Sequence, residues 1–261
     1  MHAICTLPLC PVRAEASDKA EQVDQLLFGD RMTVIERLEK WSRIQCADYD
    51  YTGWIDNKQY TTVDDEQFAV AGKWNNFADE PVTKVSLGDD SILVPMGSRL
   101  PEQSDNQANK QSINPIDLAI KLLHSPYLWG GKSCMGIDCS GLTQVVFRVS
   151  GQQLPRDASQ QALCGLPVDS IEKAVPNDLC FFSKFPQNNA DSETPDHSGI
   201  QAFKHSNNLP ITHVGIYMGA GHIIHASGQV RIDRIDNTGI FNAEQNCYTH
   251  KLLCIRHIQR L

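Results

Sequence analysis

One cysteine among the nine in this 261-residue chain stands where a thiol can serve as a nucleophile. It is Cys139, in Asp138-Cys139-Ser140-Gly141-Leu142. Leu142, Val145, Val146 and Val149 follow at helical spacing, and Gly151 offers a C-terminal stop. Asp138 stands at the N-cap position, which puts Cys139 in the first helical turn. Backbone N–H groups and the helix dipole favour an anion there, and the thiolate is the reactive form of cysteine. The competing reading is an inert buried thiol, a common fate for this residue. A partner downstream favours the first. Thr212–Gly219 reads as a strand by its alternation and its β-branched and aromatic content, and Ile223–Ser227 reads as the returning strand. His213 on the first is a base for the thiol, and His225 on the second is a third group to orient it. Side chains alternate along strands, so the two histidines share a face only if the hairpin loop is odd in length or carries a bulge. A metal site from Cys134, Cys139, His213 and His225 lacks a second closely spaced pair, so no metal and no cofactor are expected.

The surrounding elements must present these groups. Asn114-Pro115 is an N-cap with proline at the first helical position, followed by an apolar stripe at Ile116, Ala119, Ile120 and Leu123. Tyr127-Leu128-Trp129-Gly130-Gly131 leads to the cysteine. After the nucleophile helix comes Leu154-Pro155-Arg156-Asp157-Ala158-Ser159, whose arginine reads equally as a structural ion-pair partner. Pro176–Phe182 reads as the first sheet strand, and Arg231–Asn237 and Lys251–Arg256 as closing strands, with Cys247 and Cys254 packed. Between them, residues 183–210 form a long polar stretch, expected as a lid or rim, whose His197 and His205 read as solvated loop residues.

The set Asp138-Cys139-Ser140-Gly141-Leu142, His213-Val214-Gly215-Ile216-Tyr217 and Ile224-His225-Ala226 resembles the NlpC-type, papain-like cysteine peptidases of peptidoglycan. The N-terminal part, with Val12-Arg13, Leu26–Asp30, Trp41 and Gly53-Trp54-Ile55, resembles the bacterial SH3-like domains that precede the catalytic domain in γ-D-glutamyl-L-diamino acid endopeptidases of the dipeptidyl-peptidase VI kind. The resemblance implies an α+β fold: a papain-like domain, its nucleophile helix packed on an antiparallel sheet, preceded by one or two all-β SH3-like barrels. The expected boundaries are an SH3-like domain at 1–62, a second, reduced SH3-like unit at 63–105, a linker at 106–114 and the catalytic domain at 115–261.

The implied activity is hydrolysis of the γ-D-Glu to diamino acid bond, meso-diaminopimelate or L-Lys, in murein tripeptides or tetrapeptides with a free N-terminal L-Ala, during wall-peptide recycling. The implied catalytic residues are Cys139, His213 and His225. Tyr127 and Trp129 fall on the oxyanion and substrate side, with Asp138, Ser140 and Ser159 toward the D-Glu carboxylate. Glu15 and Tyr51 match the positions that receive the substrate's amine, a role suited to a carboxylate and a phenol. An acyltransferase or amidase on the same frame, and a catalytically silent wall-peptide-binding protein, are the alternatives.

A net charge of −8 without any basic run argues against a nucleic-acid partner. No apolar run is long enough for a membrane span. Nine irregularly spaced cysteines give no disulfide framework, and the first residues lack a basic, apolar leader. A cytoplasmic protein, monomeric and without membrane partners, is the expectation.

Overall fold

The computed structural model of the protein describes residues 1–101, 113–185 and 209–259. They fall into two compact units. The first holds Met1–Arg156 with Ala226–Arg231, and the second Asp157–His225 with Ile232–Gln259. The expected linker at 106–114 lies largely outside the described residues.

The first unit begins with a seven-stranded antiparallel sheet. Its strands are β1 (His2–Ile4), β2 (Leu9–Arg13), β3 (Gln22–Leu27), β4 (Arg31–Arg37), β5 (Trp41–Cys46), β6 (Thr52–Asp56) and β7 (Thr61–Thr62), in the order β3-β2-β6-β5-β4-β1-β7. Alternation sends Cys10 and Val12 of β2, Ile44 and Cys46 of β5 and Ile55 of β6 into one core with Ala3, Cys5, Leu26, Met32 and Val34. Three of the nine cysteines therefore act here as small apolar residues.

Residues 63–101, expected as a reduced SH3-like unit, hold a helix and two two-stranded ladders. The helix, α1 (Asp65–Gly72), starts in a capping box of Asp64 and Gln67. The strands are β8 (Asn76–Phe77), β9 (Val82–Leu87), β10 (Asp90–Pro95) and β11 (Arg99–Leu100), pairing β9 with β10 and β8 with β11. Ala78, Val85, Val94 and Leu100 pack with Phe28 of the N-terminal part, so this segment shares a core instead of enclosing its own.

Helix α2 (Pro115–Lys121) is capped by Asn114, whose side chain accepts from the Ile116 N–H at 3.0 Å. A short ladder of β12 (Lys132–Ser133) and β13 (Gly136–Ile137) leads into α3 (Cys139–Val149), and Gly151 at φ +86° ends that helix as its sequence position suggested. Helix α3 is buried nearly all round, beyond the apolar stripe in its sequence. Its charged Arg148 is tolerated there because it pairs with the buried Asp30.

The second unit contains α4 (Ala158–Gln161) and most of a second seven-stranded sheet. The strands are β14 (Leu166–Val168), β15 (Leu179–Lys184), β16 (His213–Gly219), β17 (His222–Ser227), β18 (Gln229–Ile235), β19 (Gly239–Asn242) and β20 (Cys247–His257). Their order is β14-β20-β15-β16-β17-β18-β19, and β19 pairs back onto β20. Ile171, Cys180, Phe182, Tyr217, Ile223, Ile235, Ile240 and Ile255 form the core. Asn177 precedes β15 at φ +78°, a conformation asparagine tolerates better than most residues. Cys247, expected to pack, is exposed at the first position of β20, just after the turn residue Asn246 at φ +51°. Most of the stretch 183–210, with His197 and His205, lies outside the described residues.

Candidate active site

The thiol's surroundings are set by the start of α3. Asp138 is extended (φ −95°, ψ 176°), and its carboxylate accepts from the Gly141 N–H at 2.6 Å. That bond caps the helix and seats Cys139, 5% exposed, in the first turn. Gly141 leaves no room for a side chain, since a Cβ there would stand 2.3 Å from the Gly131 carbonyl.

Asp138 is engaged on both oxygens. The Gly130 N–H donates to Oδ2 at 2.8 Å, and Arg156 grips the carboxylate with both terminal nitrogens, NH1 at 3.1 Å from Oδ1. Asp138 thereby braces the nucleophile's helix from within. Ser140 donates to Asp138 at 3.4 Å and accepts from Arg156 at 2.8 Å.

Arg156, which the sequence left between a site role and an ion pair, is 2% exposed and continues the chain of contacts. Its Nε donates to Asp24 of β3 at 2.7 Å. Asp24 also holds Lys132 Nζ at 3.1 Å and accepts from the Tyr49 hydroxyl at 2.5 Å. Burial opposes the charge on Arg156, but Asp138 and Asp24 outweigh it and keep the guanidinium cationic. Two carboxylates and two cations thus balance in a dry cluster that ties the N-terminal sheet to the helix of Cys139. The backbone confirms the fit, for at Gly130 (φ +75°) a Cβ would stand 2.6 Å from the Gln22 carbonyl of β3.

Of the remaining expected residues of this unit, Tyr127, Trp129 and Glu15 are exposed. Tyr127 is 37% and Trp129 52% exposed, more open than core aromatics. Burial, then the charges of Cys139 and Asp138, push the Tyr127 hydroxyl pKa up, so it stays a hydrogen-bond donor. Glu15 is exposed in the turn after β2. Tyr51 is half-buried against the sheet core, its hydroxyl 3.5 Å from the Val23 carbonyl.

The second unit holds the imidazoles. Register pairs Gly215 with His225, and the expected bulge falls between Tyr217 and Gly219. It brings both histidines to one face, with His213 Nε2 2.8 Å from His225 Nδ1. His225 Nε2 lies 3.0 Å from the Asp233 carboxylate of β18. All three are buried. His250 of β20 stacks on His213 with ring centroids 4.2 Å apart. Burial, His225 and His250 together hold the His213 pKa well below the usual 6.5, so this imidazole is neutral at pH 7. Ser159 lies half-buried in α4.

The residues missed in sequence were Asp24, Lys132, Asp233 and His250. Asp233 carried a faint signal, an acidic residue two positions from Ile235 and therefore on the same strand face. Among the described residues, no group of three or more His, Cys, Asp or Glu side chains is arranged to hold a metal ion.

A capped helix presenting a thiol and an antiparallel sheet presenting paired imidazoles define a papain-like α+β domain, here behind an SH3-like all-β region. Residues 124–247 match the NlpC/P60 family, and residues 12–59 match the bacterial dipeptidyl-peptidase SH3 domain. The chain therefore carries an NlpC/P60 cysteine-peptidase domain preceded by an SH3 domain of that kind. It is 32% identical over 141 residues to a γ-D-glutamyl-L-lysine dipeptidyl-peptidase of Bacillus subtilis, a match spanning 52% of this chain and 40% of that protein. It is 25% identical over 224 residues to dipeptidyl-peptidase 6 of Lysinibacillus sphaericus, spanning 70% of this chain and 82% of the relative. The crystal structure of an NlpC/P60 family protein from Bacillus cereus shares the fold, with a TM-score of 0.70 at 20% identity over 98% of this chain and 99% of that one.

Proposed function

We propose that the protein is a cysteine peptidase of peptidoglycan peptides, hydrolysing the bond between γ-D-Glu and the diamino acid when the peptide begins with a free L-Ala. The observation that carries this reading is the buried His213–His225 pair, in a chain whose helix α3 opens on Cys139 and whose N-terminal part matches a dipeptidyl-peptidase SH3 domain. Cys139 attacks the carbonyl as His213 takes the thiol proton. The same imidazole returns it to the leaving amine and then activates the water that releases the acyl group. A neutral His213 suits the accepting role. The Cys139 N–H and the Tyr127 hydroxyl donate to the oxyanion, and the protonated state of Tyr127 supports this. Ser140, Ser159 and Trp129 line the substrate's path in this reading, and Glu15 and Tyr51 receive its ammonium. Nine irregularly spaced cysteines without a disulfide framework in their spacing are consistent with a reducing compartment and hence with recycling of wall peptides inside the cell.

The test is incubation with L-Ala-γ-D-Glu-meso-diaminopimelate, its L-Lys counterpart, and both peptides N-acetylated. The proposal expects L-Ala-γ-D-Glu from the free peptides and little from the acetylated ones. Equal cleavage of the acetylated peptides would remove amine recognition. Absence of any cleavage, with activity on another acyl donor, would remove the assignment of substrate.

A further inference from the structure

Asp233 lies at the end of a relay that begins at His213, and the relay's hydrogen bonds run in one direction only. Asp233 Oδ2 is 3.0 Å from His225 Nε2, and His225 Nδ1 is 2.8 Å from His213 Nε2. An ionised carboxylate accepts hydrogen bonds and donates none. The proton of the first bond therefore sits on His225 Nε2. A neutral imidazole carries one proton, so His225 Nδ1 holds a lone pair and must accept. His213 then donates from Nε2, and its own lone pair is left at Nδ1.

We infer that Asp233 is a positioning residue that selects, through His225, the His213 tautomer whose Nδ1 is free to take a proton. This rests on the proposed function for its catalytic meaning but not for its geometry.

Among the described residues, the rest of the surroundings does not make that choice. His250 meets His213 face to face, ring centroids 4.2 Å apart, and its Nδ1 lies 2.9 Å from Thr249 Oγ1. Phe182 of β15 offers only a tilted ring at 6.0 Å. Of the two ring nitrogens of His225, Nε2 alone among the described contacts faces a group of fixed polarity. Take the carboxylate away and His225 is free to carry its proton on Nδ1. It would then donate to His213 Nε2 and drive the His213 proton onto Nδ1, where the base needs its lone pair. The relay also prepares the charged state. When His213 becomes imidazolium, the proton on Nε2 is shared with His225, whose far nitrogen is held by a buried carboxylate. The positive charge is thereby partnered without water.

The test compares the full chain with Asp233→Asn and Asp233→Glu by nitrogen-15 NMR of the imidazole rings above pH 7. A parallel assay measures kcat and KM on L-Ala-γ-D-Glu-meso-diaminopimelate. In the unaltered protein, His213 and His225 should each be protonated at Nε2 and unprotonated at Nδ1. Asp233→Asn should move part of the His213 population to the Nδ1–H form and lower kcat by roughly 10²-fold or more, leaving KM nearly unchanged. Asp233→Glu should restore the Nε2–H form and part of kcat. A His213 protonated at Nδ1 in the unaltered protein overturns the inference, as does an Asp233→Asn spectrum with unmoved tautomers. If the tautomers behave as stated but no wall peptide is cleaved, the positioning role stands and the functional reading fails. Should Asp233→Asn not fold, the tautomers of the unaltered chain still decide.

Discussion

Replacing Asp24 by Asn tests whether the N-terminal sheet is energetically joined to the nucleophile's helix. Asp24 is fully buried and touches Arg156 at 2.7 Å, Lys132 at 3.1 Å and the Tyr49 hydroxyl at 2.5 Å. The cluster is balanced, with Asp24 and Asp138 against Arg156 and Lys132. Asn keeps the shape and one acceptor but leaves an unbalanced cation out of reach of water. Removing one partner of a buried pair costs about 3–5 kcal/mol.

Domain stabilities of about 5–15 kcal/mol make such a loss plain. Urea denaturation followed by tryptophan fluorescence is the assay. All four tryptophans, Trp41, Trp54, Trp74 and Trp129, lie in the first compact unit, so the signal reports the unit that holds the cluster. The midpoint should fall with the slope unchanged. Adding Lys132→Met should recover at least about 2 kcal/mol, since charge balance returns. A loss below about 1 kcal/mol for Asp24→Asn, or no coupling with Lys132→Met, would show that water reaches the cluster and refute the reasoning.

Cys139→Ala should abolish peptide cleavage with little change in denaturation midpoint. In the unaltered protein, iodoacetamide at neutral pH should modify Cys139 faster than the exposed Cys247, and peptide mapping of early products checks this. Tyr127→Phe should lower kcat by about 10²-fold with KM little moved, as loss of one oxyanion donor does, and steady-state kinetics decide it. Stability should depend on pH in a defined direction. Burial and neighbouring histidines hold His213 well below 6.5, and burial, then His225, brings His250 to about 4. The unfolded chain binds more protons between those values, so stability is complete above about pH 6.5 and is lost as pH falls toward 4. For His250 alone this amounts to about 3 kcal/mol, readable from urea midpoints at pH 7 and pH 4.5, and His250→Phe should flatten the slope. The acid limb of kcat should likewise lie below the ordinary imidazole value of 6.5, since burial and the neighbouring histidines lower the His213 pKa.

The sequence by itself determined the local features. Asn114 and Asp138 cap helices because a cap and the N–H groups it satisfies lie two or three residues apart. The strand pair of His213 and His225 was readable because side chains alternate, and the same parity asked for an odd loop or a bulge, of which the bulge after Tyr217 is the one found. The capping box Asp64–Gln67 was equally legible yet went unread, and with it α1. Tertiary structure decided the rest. Arg156 meets Asp24 across 132 residues and Arg148 meets Asp30 across 118, separations over which no periodicity carries information. Burial, too, is a property of the assembled chain. It made Asp138 an internal brace of α3, and it set the charge state of His213. Spacing along a chain encodes which face a side chain occupies. Which charge waits on the opposite side is fixed only when distant segments exclude water together.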